Sequence, residues 1–374
     1  MAFLSREENF LMICKQNHTS DHRQLPNLLD FTLEEMEQFI SSLGKEKYRA
    51  PQIMKWLYQA GSVSFDAMTT LSRDFRAKLS GIARIGRPQI VRVLESKDGT
   101  KKALLKLEDG FFIESVLIPG KNNWTLCVST QAGCAMDCRF CLTARQGLKR
   151  NLQPSEITGQ ILTLKYELPG CPEIKNIVMM GMGEPLANYE NVVQAIKNIT
   201  CDFGLGFSSR KVTVSTCGLA PQIIRLGKDI CINLAVSLNA HDNETRSKLM
   251  PINKKYPLEV LLEACKKYPM PGRRLLTFEY ILMDGINASV RDAKKLAALL
   301  KDQRCKLNLI AFNEYPGSPF ASPSPRTVEA FQKTLIDSHY TTMLRASRGG
   351  DILAACGQLS GTVQMPDILM SETG

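Results

Sequence analysis

The sequence is poor in histidine and contains no long apolar run. Its 374 residues include only 4 histidines, and two of these lie in a polar stretch before residue 28. This argues against a histidine-rich metal site. No apolar run reaches the roughly 18 residues of a membrane-spanning helix. The first residues, Met1-Ala-Phe-Leu-Ser-Arg-Glu-Glu, become acidic too early for a signal peptide. The sequence therefore predicts a cytoplasmic protein without a membrane partner.

Acidic residues are also scarce in one part of the chain, and basic residues are abundant there. The formal net charge is +10. Between Gly44 and Lys102 there are 13 Lys and Arg against 5 Asp and Glu, a difference of +8. Such a cluster is typical of proteins that bind a phosphate backbone. It fits equally well a solvated surface that keeps the protein soluble, so charge alone leaves both interpretations open.

The twelve cysteines predict buried thiols, metal ligands or catalytic groups, because a cytosolic chain of this size has little use for disulfides. No internal repeat is visible. The changes in pattern along the chain divide it into five parts. These are a polar extension (1–27), a small basic helical domain (28–85), a β meander linker (86–123), a main domain (124–345) and a C-terminal loop and tail (346–374).

Capping and turn signals predict the helical domain. Thr32-Leu-Glu-Glu35 is a capping box, and further helices are predicted over Ala50–Ala60 and Leu71–Ile82. Two aromatic residues in this domain, Trp56 and Tyr58, would either stack on nucleobases or belong to the core. A helical aromatic residue is more often part of the core.

The remaining chain predicts a meander followed by alternating strands and helices. Asp98-Gly99 and Asp109-Gly110 are hairpin signals between three short strands. Six further strands alternate with helices, and they are predicted at 125–129, 176–180, 211–216, 231–237, 275–282 and 306–311. Six β/α units imply an α/β fold whose parallel sheet closes partly around itself, a partial (β/α)6 barrel. Chemistry in such sheets gathers at the carboxyl ends of the strands.

Three cysteines stand close together after the first of these strands, in Cys134-Ala-Met-Asp-Cys138-Arg-Phe-Cys141. Zinc usually needs four ligands, and no fourth candidate lies nearby in the sequence. Three thiolates on a [4Fe-4S] cluster would leave one iron open for a reactant. The alternatives are a zinc knuckle or three unrelated cysteines.

This spacing resembles the Cys-x-x-x-Cys-x-x-Cys signature of radical S-adenosylmethionine (SAM) enzymes. The longer run from Cys127-Val-Ser-Thr-Gln-Ala-Gly-Cys134 through Gln146-Gly-Leu-Lys-Arg-Asn-Leu152 resembles the RlmN/Cfr family, which methylates adenines of 23S ribosomal RNA and tRNA. The resemblance extends from about Leu28 to the Cys356-Gly-Gln-Leu segment. It implies that the helical domain binds RNA, that the main domain is a radical SAM partial barrel, and that residues 346–374 include a catalytic loop.

The resemblance also implies roles for individual residues. The cluster ligands would be Cys134, Cys138 and Cys141. The contacts to SAM would come from strand ends, namely Gly183, Glu184, Ser215, Ser237, Leu238, Asn239 and Asn313. The catalytic residues would be Glu114, Cys127 and Cys356. Judged by pattern alone, the serines and asparagines are more often turn residues, Glu114 is more often an outward-facing strand carboxylate, and the two cysteines are more often buried thiols.

The mechanism implied by the resemblance uses two SAM molecules per turnover. Cys356 takes a methyl group from one SAM, and the second gives a 5′-deoxyadenosyl radical that removes a hydrogen atom from that methyl group. The resulting carbon radical adds to carbon 2 of adenine. Cys127 then attacks the sulfur of Cys356 and releases the RNA, while Glu114 or Cys127 accepts the ring proton.

The implied partners are 23S rRNA, tRNA and a flavodoxin-like or similar electron donor, and the protein is expected to be a monomer. Two alternatives stay open. The first is a methyltransferase acting on carbon 8 of adenine, against which Pro185 and the wording of the cysteine loop argue. The second is a non-enzymatic RNA-binding protein with a structural metal site.

Overall fold

The structure is a computed structural model that describes residues 25–121 and 123–361. Most of the predicted polar extension, and the tail after residue 361, lie outside the described residues. Within the described residues, no helix combines the length and the apolar character needed to cross a membrane.

Three helices form the predicted helical domain, α1 (Leu33–Ser42), α2 (Arg49–Tyr58) and α3 (Arg73–Ile82). The predicted capping box opens α1, where the amide of Glu35 donates to Thr32 Oγ1 at 3.3 Å and the amide of Thr32 donates to Glu35 Oε2 at 2.9 Å. Apolar side chains on the inner faces of the helices then form one core.

The helical domain packs directly on the main domain. Leu162 of the main domain belongs to the same apolar core as the three helices. Tyr58 is fully buried, its hydroxyl donates to the carbonyl of Leu29 at 3.0 Å, and it accepts from Asn198 Nδ2 at 2.9 Å. The base-stacking alternative for Tyr58 is therefore wrong, because the ring is inaccessible. Trp56 is half-buried.

Ten strands of the described residues form one sheet in the order β1-β2-β3-β4-β7-β8-β9-β10-β11-β12. The first four pair antiparallel and include the predicted meander; they are β1 (Gln89–Glu95), β2 (Lys101–Lys106), β3 (Phe112–Pro119) and β4 (Trp124–Cys127). β4 pairs parallel with β7 on its other side. The meander is thus continuous with the parallel part of the sheet.

The parallel part continues with β7 (Ile174–Met179), β8 (Val212–Thr216), β9 (Asn233–Ser237), β10 (Leu276–Leu282), β11 (Cys305–Ala311) and β12 (Thr342–Leu344). The six predicted strands of the barrel are confirmed. β12 was not predicted, because its three residues are partly or fully exposed and too few to show a period. The hairpin of β5 (Gln131–Gly133) and β6 (Leu148–Asn151), which pair with each other beside the sheet, was not predicted either.

Helices connect the parallel strands, and apolar residues of both form a second core. They are α4 (Leu142–Arg145), α5 (Pro154–Glu167), α6 (Tyr189–Thr200), α7 (Ala220–Asp229), α8 (Asn243–Leu249), α9 (Leu258–Lys267), α10 (Val290–Leu299) and α11 (Pro325–Asp337). β1 and β12 are the two edges of the ordered sheet, so the barrel is partial, as predicted. The parallel strands have their carboxyl ends at one edge.

Candidate active site

The cysteine loop lies between β5 and α4 and is fixed at two points. The amide of Cys134 donates to the carbonyl of Gly147 at 3.1 Å, and the amide of Arg139 donates to the carbonyl of Leu249 at 2.9 Å. Gly133 has a φ of 77°, and a Cβ there would collide with the carbonyl oxygen of Gly147. Glycine is therefore required where the loop leaves β5.

The three thiols of Cys134, Cys138 and Cys141 line one cavity of about 150 Å³. Burial raises the pKa of all three thiols, to about 12 for Cys134. Because burial favours the neutral form, thiolates at these positions require a positive partner. A bound metal centre would provide it.

The donor set fits a cluster better than a single ion. Among residues 25–121 and 123–361, no three His, Cys, Asp or Glu side chains are grouped closely enough to hold one metal ion. Three thiolates of an iron–sulfur cluster bind three different irons and need not converge on one point. The three cysteines share a cavity without such convergence, so they suit a [4Fe-4S] cluster, which binds thiolate sulfur.

Gly183 and Glu184 follow β7 and line the same cavity. Gly183 has a φ of 98°, and a Cβ there would lie 2.5 Å from the Cβ of Gln131, so only glycine fits. Glu184 is buried, and it accepts hydrogen bonds from the amides of Leu186 at 3.0 Å and Cys217 at 2.8 Å. Burial raises the pKa of this carboxyl. A carboxylate here would receive an ammonium group, as predicted for SAM.

Ser215, next to the last residue of β8, and Ser237, the last residue of β9, also line this cavity. The hydroxyl of Ser215 donates to Glu279 Oε2 at 2.8 Å. Glu279, a buried carboxylate on β10, also lines the cavity and was not predicted from the sequence. The signal was a charged residue within the apolar strand Leu276-Thr-Phe-Glu-Tyr-Ile-Leu282.

Three predicted SAM contacts lie outside the lining of this cavity. Leu238 and Asn239 are fully buried. Asn239 has a φ of 58°, its Oδ1 accepts from the amide of Ile281 at 2.9 Å, and its Nδ2 contacts the sulfur of Met250. Asn313 donates from Nδ2 to the carbonyl of Cys356 at 3.2 Å. A SAM contact through these three side chains stays a prediction.

Cys127 and Cys356 meet in a second, smaller cavity, although 229 positions separate them in the chain. Both thiols are free, and Cys356 also lines the first cavity. Burial raises the pKa of Cys127 to about 12, with a smaller contribution from Cys356, while Arg345 opposes the shift. Arg345 lines this second cavity and was not predicted from the sequence.

The segment that carries Cys356 is held on two sides. Asp351 accepts from the hydroxyl of Ser96, in the turn between β1 and β2, at 2.5 Å. On the other side, the amide of Leu142 donates to the carbonyl of Gly357 at 2.7 Å. The hydroxyl of Thr143 donates to the carbonyl of Leu359 at 2.6 Å. The segment thus joins the meander to α4, the helix that directly follows the cysteine loop.

Glu114 is one of the groups that hold this segment. It is buried on β3 and pairs through Oε1 with Lys102 Nζ at 3.0 Å. Its Oε2 accepts from the amides of Ser360 at 2.7 Å and Gly361 at 3.1 Å. Lys102 also donates to the carbonyl of Leu353 at 3.1 Å. The pair therefore binds the segment on both sides of Cys356.

We expect Glu114→Gln to loosen the end of this segment. The neutral amide keeps the shape but loses the charge that strengthens the hydrogen bonds, which contribute about 1.5–3 kcal/mol each with a charged partner. Hydrogen exchange at the amides of Ser360 and Gly361 should be roughly 10- to 100-fold faster. Glu108→Gln is the control, because Glu108 pairs with Arg84 in an exposed position. Unchanged exchange in Glu114→Gln would contradict the anchoring role.

The protein has an α/β fold, and three cysteines with the spacing Cys-x-x-x-Cys-x-x-Cys lie in a loop at the carboxyl edge of its sheet. This combination defines a radical SAM enzyme. Residues 128–297 match the Radical SAM superfamily, and residues 26–85 match the family described as "Ribosomal RNA large subunit methyltransferase N-terminal domain". Because these two matches are joined by relatives 65% and 50% identical to the chain, the chain belongs to the RlmN family of radical SAM RNA methyltransferases.

The chain is 65% identical over 340 residues to "Dual-specificity RNA methyltransferase RlmN" of Syntrophus aciditrophicus (strain SB), which covers 91% of this chain and 98% of that protein. It is 50% identical over 332 residues to the protein of the same name from Geobacter sulfurreducens, covering 88% and 91%. A radical SAM methyltransferase structure from Sphaerobacter thermophilus superposes with a TM-score of 0.85 at 40% identity, covering 90% of this chain and 100% of that one. The predicted family, fold and enzyme class are confirmed, and the superfamily implies a [4Fe-4S] cluster and SAM as cofactors.

Proposed function

We propose that this enzyme methylates carbon 2 of adenine in 23S rRNA and in tRNA. The relatives are named as dual-specificity RNA methyltransferases, which supports two kinds of RNA substrate. The observation that carries the proposal is the cavity shared by Cys127 and Cys356 next to the cavity of the cluster cysteines. Carbon 2 of adenine is electron-poor and cannot attack the methyl group of SAM directly. A thiol that carries the methyl group, with a second thiol to release it, solves this problem.

The two thiols have different roles because they line different cavities. Cys356 lines both cavities, so its sulfur can accept a methyl group near the SAM residues and present it to a base in the second cavity. In the first transfer, the Cys356 thiolate forms a carbon–sulfur bond to the methyl group and the methyl–sulfur bond of SAM breaks. A second SAM per turnover, together with the cluster, would supply the radical chemistry that links this carbon to adenine.

Release requires a thiol, a proton acceptor and a broken carbon–sulfur bond. The sulfur of Cys127 attacks the sulfur of Cys356, a disulfide forms between them, and the pair of the broken carbon–sulfur bond stays with the methyl-derived carbon, which takes up a proton and becomes the methyl group. An external thiol reductant then returns the disulfide to two thiols for the next turnover. Glu114 and Cys127 are the candidates for accepting the proton of carbon 2. Because Glu114 binds the amides of Ser360 and Gly361, proton acceptance by Glu114 requires the C-terminal segment to move.

Nucleoside mass spectrometry tests this function. 23S rRNA and tRNA from cells with the gene should contain 2-methyladenosine, which cells lacking the gene should lose in both RNAs. A loss of 8-methyladenosine would favour the carbon-8 alternative. Unchanged RNA, together with no SAM cleavage by the reduced protein, would favour a non-enzymatic RNA-binding protein.

The helical domain is the proposed RNA-binding surface. It exposes Lys45, Lys47, Lys55 and Lys78 to solvent. The ring of Trp56 lines an open groove with Lys55, and its indole nitrogen donates to the hydroxyl of Thr70 at 2.8 Å. A half-buried aromatic ring that lines an open groove beside a cation suits an unstacked base of single-stranded RNA. A flavodoxin-like electron donor and a monomeric state complete the proposal.

Charge reversal of this domain should weaken RNA binding. With glutamate at the four exposed lysines, the affinity for RNA should fall more than tenfold. The slope of log affinity against log salt should become less steep by roughly 3, because each lost phosphate contact contributes about 0.7–0.9 to that slope. The matched control places glutamate at four exposed lysines of the main domain, Lys228, Lys266, Lys294 and Lys301. Equal weakening by both sets would mean that the helical domain is only a solvated surface.

A further inference from the structure

Arg246 is a fully buried cation without an acidic partner. It lies on α8 and has the largest side chain among the fully buried residues. Its guanidinium donates to the carbonyls of Cys217 at 2.8 Å, Leu238 at 3.1 Å and Ser237 at 3.2 Å, and to Asn253 Oδ1 at 3.0 Å. All four acceptors are neutral. Within residues 25–121 and 123–361, no carboxylate forms an ion pair with it.

A buried charge that lacks a counter-charge is costly, even when its hydrogen bonds are made. Burial lowers the pKa of Arg246, and the titratable groups that face it are the thiols of Cys217, Cys138 and Cys265. Neutral thiols supply no countercharge. The missing counter-charge of Arg246 would therefore come from an anion that is present only when the protein holds its cofactor.

The cluster is the anion that these surroundings would supply. Cys138 is one of the three proposed ligands, and Cys217 lines the cavity that holds all three. An oxidised [4Fe-4S] cubane carries two positive charges against three thiolates, so the unit is a monoanion, and one-electron reduction makes it a dianion. A nearby fixed cation stabilises the reduced form more than the oxidised form.

We propose that Arg246 is the internal counter-cation of the cluster and makes the cluster easier to reduce. It is a positioning residue, because its hydrogen bonds go to the protein. Those bonds tie α8 to the ends of β8 and β9, and the amide of Arg139 in the cysteine loop donates to Leu249 at the end of the same helix. The charge is thus held rigidly between the strand ends and the cysteine loop. The inference rests on the cluster and does not depend on which base is methylated.

The first test is the midpoint potential of the cluster, followed by electron paramagnetic resonance during an anaerobic titration. Arg246→Met removes the charge, so its potential should shift to more negative values. Arg246→Lys keeps the charge and should stay near the native potential. Arg87→Met is the control, because Arg87 has a buried side chain but pairs with Glu167 at 2.7 Å, and it should leave the potential unchanged. A native potential in Arg246→Met would overturn the proposal.

The second test needs no reduction of the cluster. It measures melting temperature and iron content, and the iron content is informative even for a variant that loads iron poorly. The gain in melting temperature on cluster assembly should be larger in the native protein than in Arg246→Met, because only the native protein has a buried cation to neutralise. Iron retained in Arg246→Lys but lost in Arg246→Met would also support a role for charge. Equal destabilisation of the apo and loaded forms by Arg246→Met, or equal iron loss in both variants, would assign Arg246 a purely structural role and overturn the inference.

Discussion

Cys138→Ala should lose both its iron and its ability to cleave SAM. Anaerobically reconstituted native protein should contain about four irons per chain, and the variant should contain almost none. The reason is that Cys138 is one of the three cysteines of the Cys-x-x-x-Cys-x-x-Cys loop that line the cavity. The two that remain do not hold the cluster. Iron and sulfide analysis measures the first loss. Chromatography of 5′-deoxyadenosine and methionine after reduction measures the second.

Cys171→Ala is the matched control for this experiment. Cys171 is a free, half-buried thiol that lines neither cavity. Its substitution should therefore leave iron content and SAM cleavage at native levels. If Cys138→Ala still cleaved SAM at the native rate, the assignment of the three cysteines as cluster ligands would be wrong.

The fold was largely predictable because its signals are local. The capping box at Thr32 and Glu35 forms as the sequence indicates, since both partners lie within one turn of helix. The buried parallel strands read as apolar runs separated by helices, so their approximate positions followed from periodicity. β12 has three residues and too little burial to give either signal.

The contacts that shape the site were not predictable because their partners are far apart in the chain. Lys102 and Leu353 are separated by 251 positions, and Glu114 and Ser360 by 246. No pattern within a window of the sequence reports such a pairing. The resemblance implied that residues 346–374 include a catalytic loop, but the bonds that hold Asp351 to the meander and Gly357 and Leu359 to α4 are visible only in the structure.

The two asparagines of the predicted SAM site show the same limit. A residue at the end of a strand is a candidate ligand, but its side chain can satisfy the protein instead. Asn239 bonds Ile281 and contacts Met250, and Asn313 bonds the backbone of Cys356. The hydrogen bond to the carbonyl of Cys356 gives Asn313 a role of its own, because it helps to hold the residue that is proposed to carry the methyl group.

We propose different roles for Cys127 and Cys356 because the cavities that they line differ. Cys356 lines both cavities, whereas Cys127 lines only the smaller one. A methyl carrier must reach SAM and the base, and only Cys356 meets that requirement. Cys127 is buried at the end of β4, and its raised pKa of about 12 keeps it a neutral thiol at neutral pH. Cys127 therefore suits the late release step. It can attack only after a base acting on its thiol, or a nearby charge, has helped to remove its proton.

Cys127→Ala should become covalently attached to its RNA, whereas Cys356→Ala should form no adduct. Without Cys127, the methyl group is still loaded and added to adenine, but no thiol remains to break the carbon–sulfur bond. The protein band on a denaturing gel should shift by the mass of the RNA, and nuclease digestion should leave a modified peptide containing Cys356. The double variant should show no shift, because it lacks the carrier. Cys231→Ser, at an exposed free cysteine, is the control and should turn over normally. An adduct in Cys356→Ala, or normal turnover in Cys127→Ala, would reverse or remove the proposed roles.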